Sequence, residues 1–384
     1  MRNLSLYVIS LAIIICSIVN LTILESQILL KNLDVLETGV GDVGGEDIAE
    51  SSYQPGSAEQ FILTNSDRLG FNQTNNPATC KIWKDPSATN PDVLNSLREY
   101  AKDIERYNEL VNNFGTAPSI MEDLRQGTTG QSLHREICDS LRLHPDGLQG
   151  IFSSGQLSLT SSGYAEPLLP PMRSQKICDN REQNLMSLDY LVHDFEFMCR
   201  KLKPTSRLVL VDMGASLQFS HHGSTEQPIV SLLRKYQKFG FVFDHIYGFE
   251  ITKIDPKNVF EKSLPEEYIP AYHWINVGVS AEEGNKLNPL HSVVKKFNKD
   301  DFVVVKLDID TSSVELPLMK QLLEDKDGVF SKIVDQFYFE HHVHLGELAD
   351  YWTSSIEGTE GTVAQSLEWF SLLRKKGIPA HYWP

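Results

Sequence analysis

The sequence carries no excess of basic charge. Its 384 residues include 35 Lys and Arg against 51 Asp and Glu, for a net charge of −16. A chain that neutralises phosphates needs a basic face, so no nucleic-acid partner is expected. Internal repeats are missing too, which sets aside solenoids and propellers. No two cysteines lie close enough for a C-x-x-C metal site. The glycine fingerprint G-x-G-x-x-G of dinucleotide folds is also absent. What remains is an acidic, ordinary globular composition, 41% hydrophobic and 22% charged, which can bury a core.

One stretch lacks charge altogether. Leu4–Leu24 is predominantly apolar and carries no charge, with Arg2 before it and Glu25 after it. About 20 such residues span a bilayer as a helix. The run is long for a signal-peptide core, and no small-x-small cleavage site closes it. The expectation is a type II signal anchor over residues 4–24 with a cytosolic tail at 1–3, the membrane being one partner. The alternative is a signal peptide whose cleavage leaves a secreted protein. Of five cysteines, Cys16 lies inside the apolar run. Cys80, Cys138, Cys178 and Cys199 are an even set that suggests two disulfides, with all three pairings open. Asn72-Gln-Thr74 is an N-glycosylation sequon, usable only in a lumen. These signals place the protein in the secretory pathway, in the Golgi or endoplasmic reticulum.

Residues 25–78 are rich in Gly, Ser, Asn, Gln and acids, which predicts a flexible lumenal stem. Residues 79–200 read as a helical, cysteine-containing cap. Apolar residues recur at three- and four-residue steps over Pro91–Phe114 and again over Gln183–Leu202, whereas Phe152–Pro171 reads as loop. From residue 201 to 384 the pattern changes. Arg207–Asp212, Phe241–Glu250, His273–Val279, Phe302–Asp308, Ile333–Glu340 and Ala380–Trp383 read as strands. Helical patterns at Gln227–Phe239, Val314–Leu323 and Val363–Lys376 lie between them. This alternation predicts an α/β, Rossmann-like doubly wound sheet, mostly parallel.

In such sheets ligands bind beyond the carboxyl ends of the strands, at the switch point. The first strand ends in Asp212-Met-Gly214-Ala-Ser216, where a glycine permits close backbone approach. The second ends in Tyr247-Gly-Phe-Glu250, an acid placed to accept from ribose hydroxyls. The fourth ends in Lys306-Leu-Asp308-Ile-Asp310, with Glu315 following. Asp308 and Asp310 could cap the next helix, face a substrate, or form a D-x-D clamp for Mn²⁺ or Mg²⁺. The fifth ends in Glu340-His341-His342-Val-His344. Alternation puts Glu340, His342 and His344 on one face, where they could bind a divalent metal or supply a base. The metal candidates are therefore Asp308, Asp310, His342 and His344.

At these residues the chain resembles the FkbM-type family of S-adenosylmethionine-dependent methyltransferases. The matching segments are Asp212–Ser216, Phe249-Glu250, Val305–Asp310 with Glu315, and Asn276–Gly284. The resemblance covers about residues 183–384. It implies that Asp212, Gly214 and Glu250 bind S-adenosylmethionine; Ser216 and Asp308 are further candidates for cofactor contact. It places Asp308 and Glu340-His341 towards the acceptor; methyl transfer to a hydroxyl would use a base such as His341 or His342 to remove the proton. DIDTSSVE departs from the family's tight acid-glycine turn. The implied function is an O-methyltransferase of the secretory lumen acting on a glycan or other hydroxyl acceptor. Two alternatives stand beside it. One is a type II Golgi glycosyltransferase using Asp308-x-Asp310; the other is a degenerate fold serving as a binding module.

Overall fold

The computed structural model describes residues 53–73, 79–85, 90–126, 131–153, 155–167, 169–179, 187–215, 217, 227–343 and 360–383. The expected anchor and tail, residues 25–52 of the expected stem, Ser216 and His344 lie outside them. Among the described residues no helix is long and apolar enough to cross a membrane.

Helix α1 is Ser57–Thr64 and α2 is Pro91–Asn113. Asn90 caps α2 by accepting the Asp92 N–H at 2.9 Å, and Pro91 occupies the first turn, where a missing N–H costs nothing. Leu97, Tyr100, Tyr107 and Val111 form its buried stripe. Helix α3 is Gln131–Asp139. A small antiparallel hairpin follows, β1 at Ser158–Thr160 and β2 at Gly163–Ala165. Helix α4, Phe195–Arg200, begins where Asp194 accepts the Phe197 N–H at 3.0 Å.

The main sheet is built from β3 (Leu208–Met213), β4 (His245–Phe249), β5 (Tyr272–Ile275), β6 (Phe302–Leu307), β7 (Val334–Phe339) and β8 (Ala380–Tyr382). Helix α5 (Pro228–Lys238) joins β3 to β4, α6 (Ser312–Glu324) joins β6 to β7, and α7 (Val363–Lys375) joins β7 to β8. The spatial order is β5-β4-β3-β6-β7-β8, and every pairing is parallel. The expected α/β architecture with a mostly parallel sheet is therefore present. The chain winds outward from β3 to β5, returns, and continues on the far side, so the switch point lies between β3 and β6.

Every residue of β3 and β6 is buried, as strands covered on both faces must be. Val209, Val211, Val303, Val305 and Phe337 pack towards α6 and α7. Leu208, Leu210, Phe302, Val304 and Tyr338 pack towards α4, α5 and most of α2. The disulfides divide between these two cores. Cys80–Cys178 sits in the first and Cys138–Cys199 in the second, with Cα separations of 5.8 and 5.4 Å. This interleaved pairing is one of the three left open by spacing.

Three expectations need correction. The stem does not extend to residue 78, because Ile62, Leu69 and Phe71 are buried in the first core and the Ala364 N–H donates to the Phe71 carbonyl at 3.0 Å. A polar segment can fold when an existing core covers its few apolar residues. Phe152–Pro171 is not all loop, since it holds the β1–β2 hairpin. Gln183–Leu202 is not one helix: the described part from 187 to 194 is non-helical, and Asp194 starts α4 afresh. Residues of the cap region contribute to both cores.

A buried polar network ties these segments together. Arg374 of α7 lies 3.4 Å from Glu59 of α1 and donates to the Glu166 carbonyl at 3.0 Å. Glu166 in turn meets His381 at 2.8 Å and Arg173 at 3.6 Å.

Candidate active site at the carboxyl edge of the sheet

The parallel ladder runs one residue past each strand. The Asp308 N–H donates to the Met213 carbonyl at 2.9 Å, Glu340 to Leu307 at 3.1 Å, Trp383 to Phe339 at 3.0 Å and Glu250 to Ile275 at 3.2 Å. Glu250, Asp308, Glu340 and Trp383 therefore form one row along the carboxyl edge. Asp212, one turn of pleat below, stands at the switch point.

Lys306 is the hinge of this row. Its Nζ lies 3.0 Å from Asp212 Oδ1, 2.9 Å from Asp308 Oδ2 and 3.2 Å from the Gly214 carbonyl. Burial works against the ammonium, but the Asp212 and Asp308 carboxylates outweigh it and hold the proton above the usual lysine range. Burial raises Asp212 despite Lys306, whereas at Asp308 the same ammonium wins and the pKa falls. Asp308 also accepts from Trp383 Nε1 at 3.1 Å. Glu340 shares a hydrogen bond with Asp308, and burial together with that neighbouring charge pushes Glu340 well above the ordinary carboxyl value.

Two of the glycines explain the tight edge. Gly214 has φ 93°, and a Cβ there would fall 1.4 Å from the Asp308 carbonyl oxygen. The close approach it permits is thus between two strand ends of the chain itself. Gly248 leaves room for Tyr272, whose hydroxyl would lie 2.3 Å from an added Cβ. That hydroxyl and Asp212 Oδ2 are both buried and have no hydrogen-bond partner among the described residues. Glu250 is oriented by the Thr252 N–H, 2.6 Å from its Oε1.

The histidines separate by face. His342 Nε2 lies 3.3 Å from Asp310 and 3.6 Å from Glu340, while Nδ1 lies 3.3 Å from Glu315 Oε2. Burial draws its pKa down, but the hydrogen bonds to Asp310 and Glu315 dominate and raise it to about 11. His341 points to the opposite side. Its ring stacks on Phe339 and Trp369, centroids 5.4 and 5.0 Å away, and Nε2 meets the Glu360 carbonyl at 3.1 Å. Burial lowers it to about 3, so it stays neutral. His341 does not join the cluster that sequence alternation assigned to Glu340 and His342.

Asp308 and Asp310 engage different partners. The first is held by Lys306 and Trp383, whereas the second is 87% exposed and reaches His342. Tyr272 and Trp383 were not anticipated. Gly248, a glycine inside a strand, was the available signal for an aromatic ring crossing there. Beyond the row, Trp83, Tyr100, Arg173 and Tyr190 help line a cleft of about 760 Å³ beside α2. Tyr190, one of its lining residues, donates to the Tyr382 carbonyl at 2.7 Å, at the tip of β8. Compared with protein-family models, curated proteins and solved structures, the chain matches none.

Proposed function

We propose that the protein is an S-adenosylmethionine-dependent O-methyltransferase acting on a hydroxyl acceptor, with its site along the row Glu250–Asp212–Asp308–Glu340. The observation that carries this reading is a pair of buried atoms, Asp212 Oδ2 and the Tyr272 hydroxyl, that have no partner among the described residues and lie at the switch point of a parallel sheet. Such atoms fit a polar ligand that brings hydrogen-bonding groups of its own. Glu250, with one oxygen fixed by Thr252, would hold ribose hydroxyls. Asp212 and the backbone at Gly214 and Ala215 would hold the remainder, as the resemblance implies.

When bound, the cofactor supplies a sulfonium methyl whose carbon–sulfur bond breaks as the carbon–oxygen bond forms. Asp308 takes the acceptor's proton. It is ionised because Lys306 sits 2.9 Å away, and Trp383 fixes its direction. Lys306 links the carboxylate on the cofactor side to the one on the acceptor side, so positioning carries most of the acceleration. The aromatic and polar cleft at Tyr190 suits the body of a glycan acceptor. The two disulfides fit an oxidising lumen of the secretory pathway, with residues 4–24 as the membrane anchor.

The glycosyltransferase alternative needs Asp308 and Asp310 on one ion, and their different partners favour it less. Calorimetry of the purified chain with S-adenosylmethionine, its demethylated product, and UDP- or GDP-sugars with Mn²⁺ tests the choice. Binding of the first two ligands is the expected result. Binding of a nucleotide sugar alone overturns the proposal.

A further inference from the structure

We propose that Asp310, Glu340 and His342 bind one divalent transition-metal cation, such as Mn²⁺ or Zn²⁺, at the acceptor end of the row. Their donor atoms, two carboxylate oxygens and one imidazole nitrogen, all lie within 4.8 Å of one another. The spacing itself is informative. Charge-assisted hydrogen bonds run at about 2.7–2.9 Å. His342 Nε2 instead stands 3.3 Å from Asp310 and 3.6 Å from Glu340. Adjacent ligands of one ion with bonds of about 2.1 Å are separated by roughly 3.0–3.4 Å in octahedral or tetrahedral geometry. The Asp310 separation is that of a long hydrogen bond and equally of such a polyhedron edge, and the Glu340 separation lies slightly beyond it.

The surroundings have the form that metal-binding imidazoles use. Glu315 Oε2 faces His342 Nδ1 at 3.3 Å, and its other oxygen accepts the Ile309 N–H at 2.8 Å. A carboxylate fixed on one ring nitrogen orients the other for a metal. His342 and Glu340 are 6% and 9% exposed, whereas Asp310 is 87% exposed. Two ligands are therefore anchored in the fold, and the third stands at the solvent side, which leaves coordination positions open. The mixed nitrogen and oxygen donors favour a transition ion over Ca²⁺. The second grouping with metal-ligand spacing, His134 with Cys138 and Cys199, offers no such site because both cysteines are in a disulfide.

The open positions would take an oxygen of the acceptor. A hydroxyl bound to a divalent ion gives up its proton more readily, and with Glu340 ionised on the metal, the Asp308 carboxylate held by Lys306 at 2.9 Å receives that proton. This last step rests on the methyl-transfer reading, whereas cation binding does not.

The test is a Mn²⁺ titration of the purified, metal-free chain, followed by loss of the free-ion electron paramagnetic resonance signal, with Zn²⁺ as competitor. The expected result is a single saturable site. Asp310→Asn changes an exposed side chain, so the fold survives, and it should weaken binding at least ~10-fold; His342→Gln should abolish it. Glu315→Gln, which removes only the support of Nδ1, should cost ~10–100-fold. Absence of saturable binding, or affinity unchanged in both Asp310→Asn and His342→Gln, overturns the proposal. S-adenosylmethionine calorimetry on the same preparation separates the two readings. Cation binding without cofactor binding keeps the site and removes the methyltransferase, and the reverse result does the opposite.

Discussion

A Cβ on Gly214 would stand 1.4 Å from the carbonyl oxygen of Asp308. The two residues end β3 and β6, the neighbours between which the sheet reverses its order, and Gly214 has φ 93°. Gly214→Ala must therefore both force the strand ends apart and hold a left-handed backbone. The expected cost is ~3 kcal/mol or more, read as a drop in melting temperature on the order of 10 °C. A melt within about 2 °C of the wild type would show that the loop relaxes freely.

Glu250 and Asp212 should differ in what their loss does. Glu250 touches no cation among the described residues, so Glu250→Gln should leave the melt nearly unchanged and weaken S-adenosylmethionine at least ~10-fold, which is ~1.4 kcal/mol. Asp212→Asn should lose binding and also ~3 kcal/mol of stability, because the buried Lys306 then keeps only the partly exposed Asp308 carboxylate. Unchanged affinity in both variants would move the cofactor site elsewhere.

The disulfides close loops of 98 and 61 residues and brace different cores. Replacing either pair by serine should cost ~2–4 kcal/mol in denaturant unfolding. Losing both should cost less than twice that, because the loops interleave. Peptide mapping that links Cys80 to any partner other than Cys178 would refute the assignment.

Glu166 makes the fold sensitive to acid. Burial alone would raise its pKa, but His381, Arg173 and Arg374 outweigh that and bring it down to about 2. An acid whose folded pKa is depressed stabilises the native state fully above its unfolded value, near 4.5, and loses that contribution as pH falls towards about 2. The term is ~3 kcal/mol in order of magnitude. Glu166→Gln should be less stable than wild type at neutral pH, and the gap should narrow between pH ~4.5 and ~2 in urea melts. A gap that stays constant with pH would assign Glu166 a purely steric role.

Much of the fold was legible in the chain because buried parallel strands write themselves as short apolar runs. Leu208–Met213 and Phe302–Leu307 appear within a residue of where the pattern put them, and α7 ends one residue short of its expected limit. The acids at the strand ends were equally visible, since a strand that stops being apolar marks its carboxyl end. Hidden were the features set by contacts distant in sequence. Ile62 and Phe71 look like stray apolar residues in a polar stretch until α7 and the first core cover them.

The site divides along the same line. Two-residue alternation was enough to put Glu340 and His342 on one side of the extended chain just beyond β7, because alternation is a local property of the backbone. Only the tertiary fold could turn His341 against Trp369, bring Asp310 and Glu315 to His342, and pair Cys80 with Cys178. Those outcomes depend on which strands become neighbours and how loops cross at the switch point. The pairing energy responsible lies between segments far apart in the chain, so periodicity within any one segment carries no record of it.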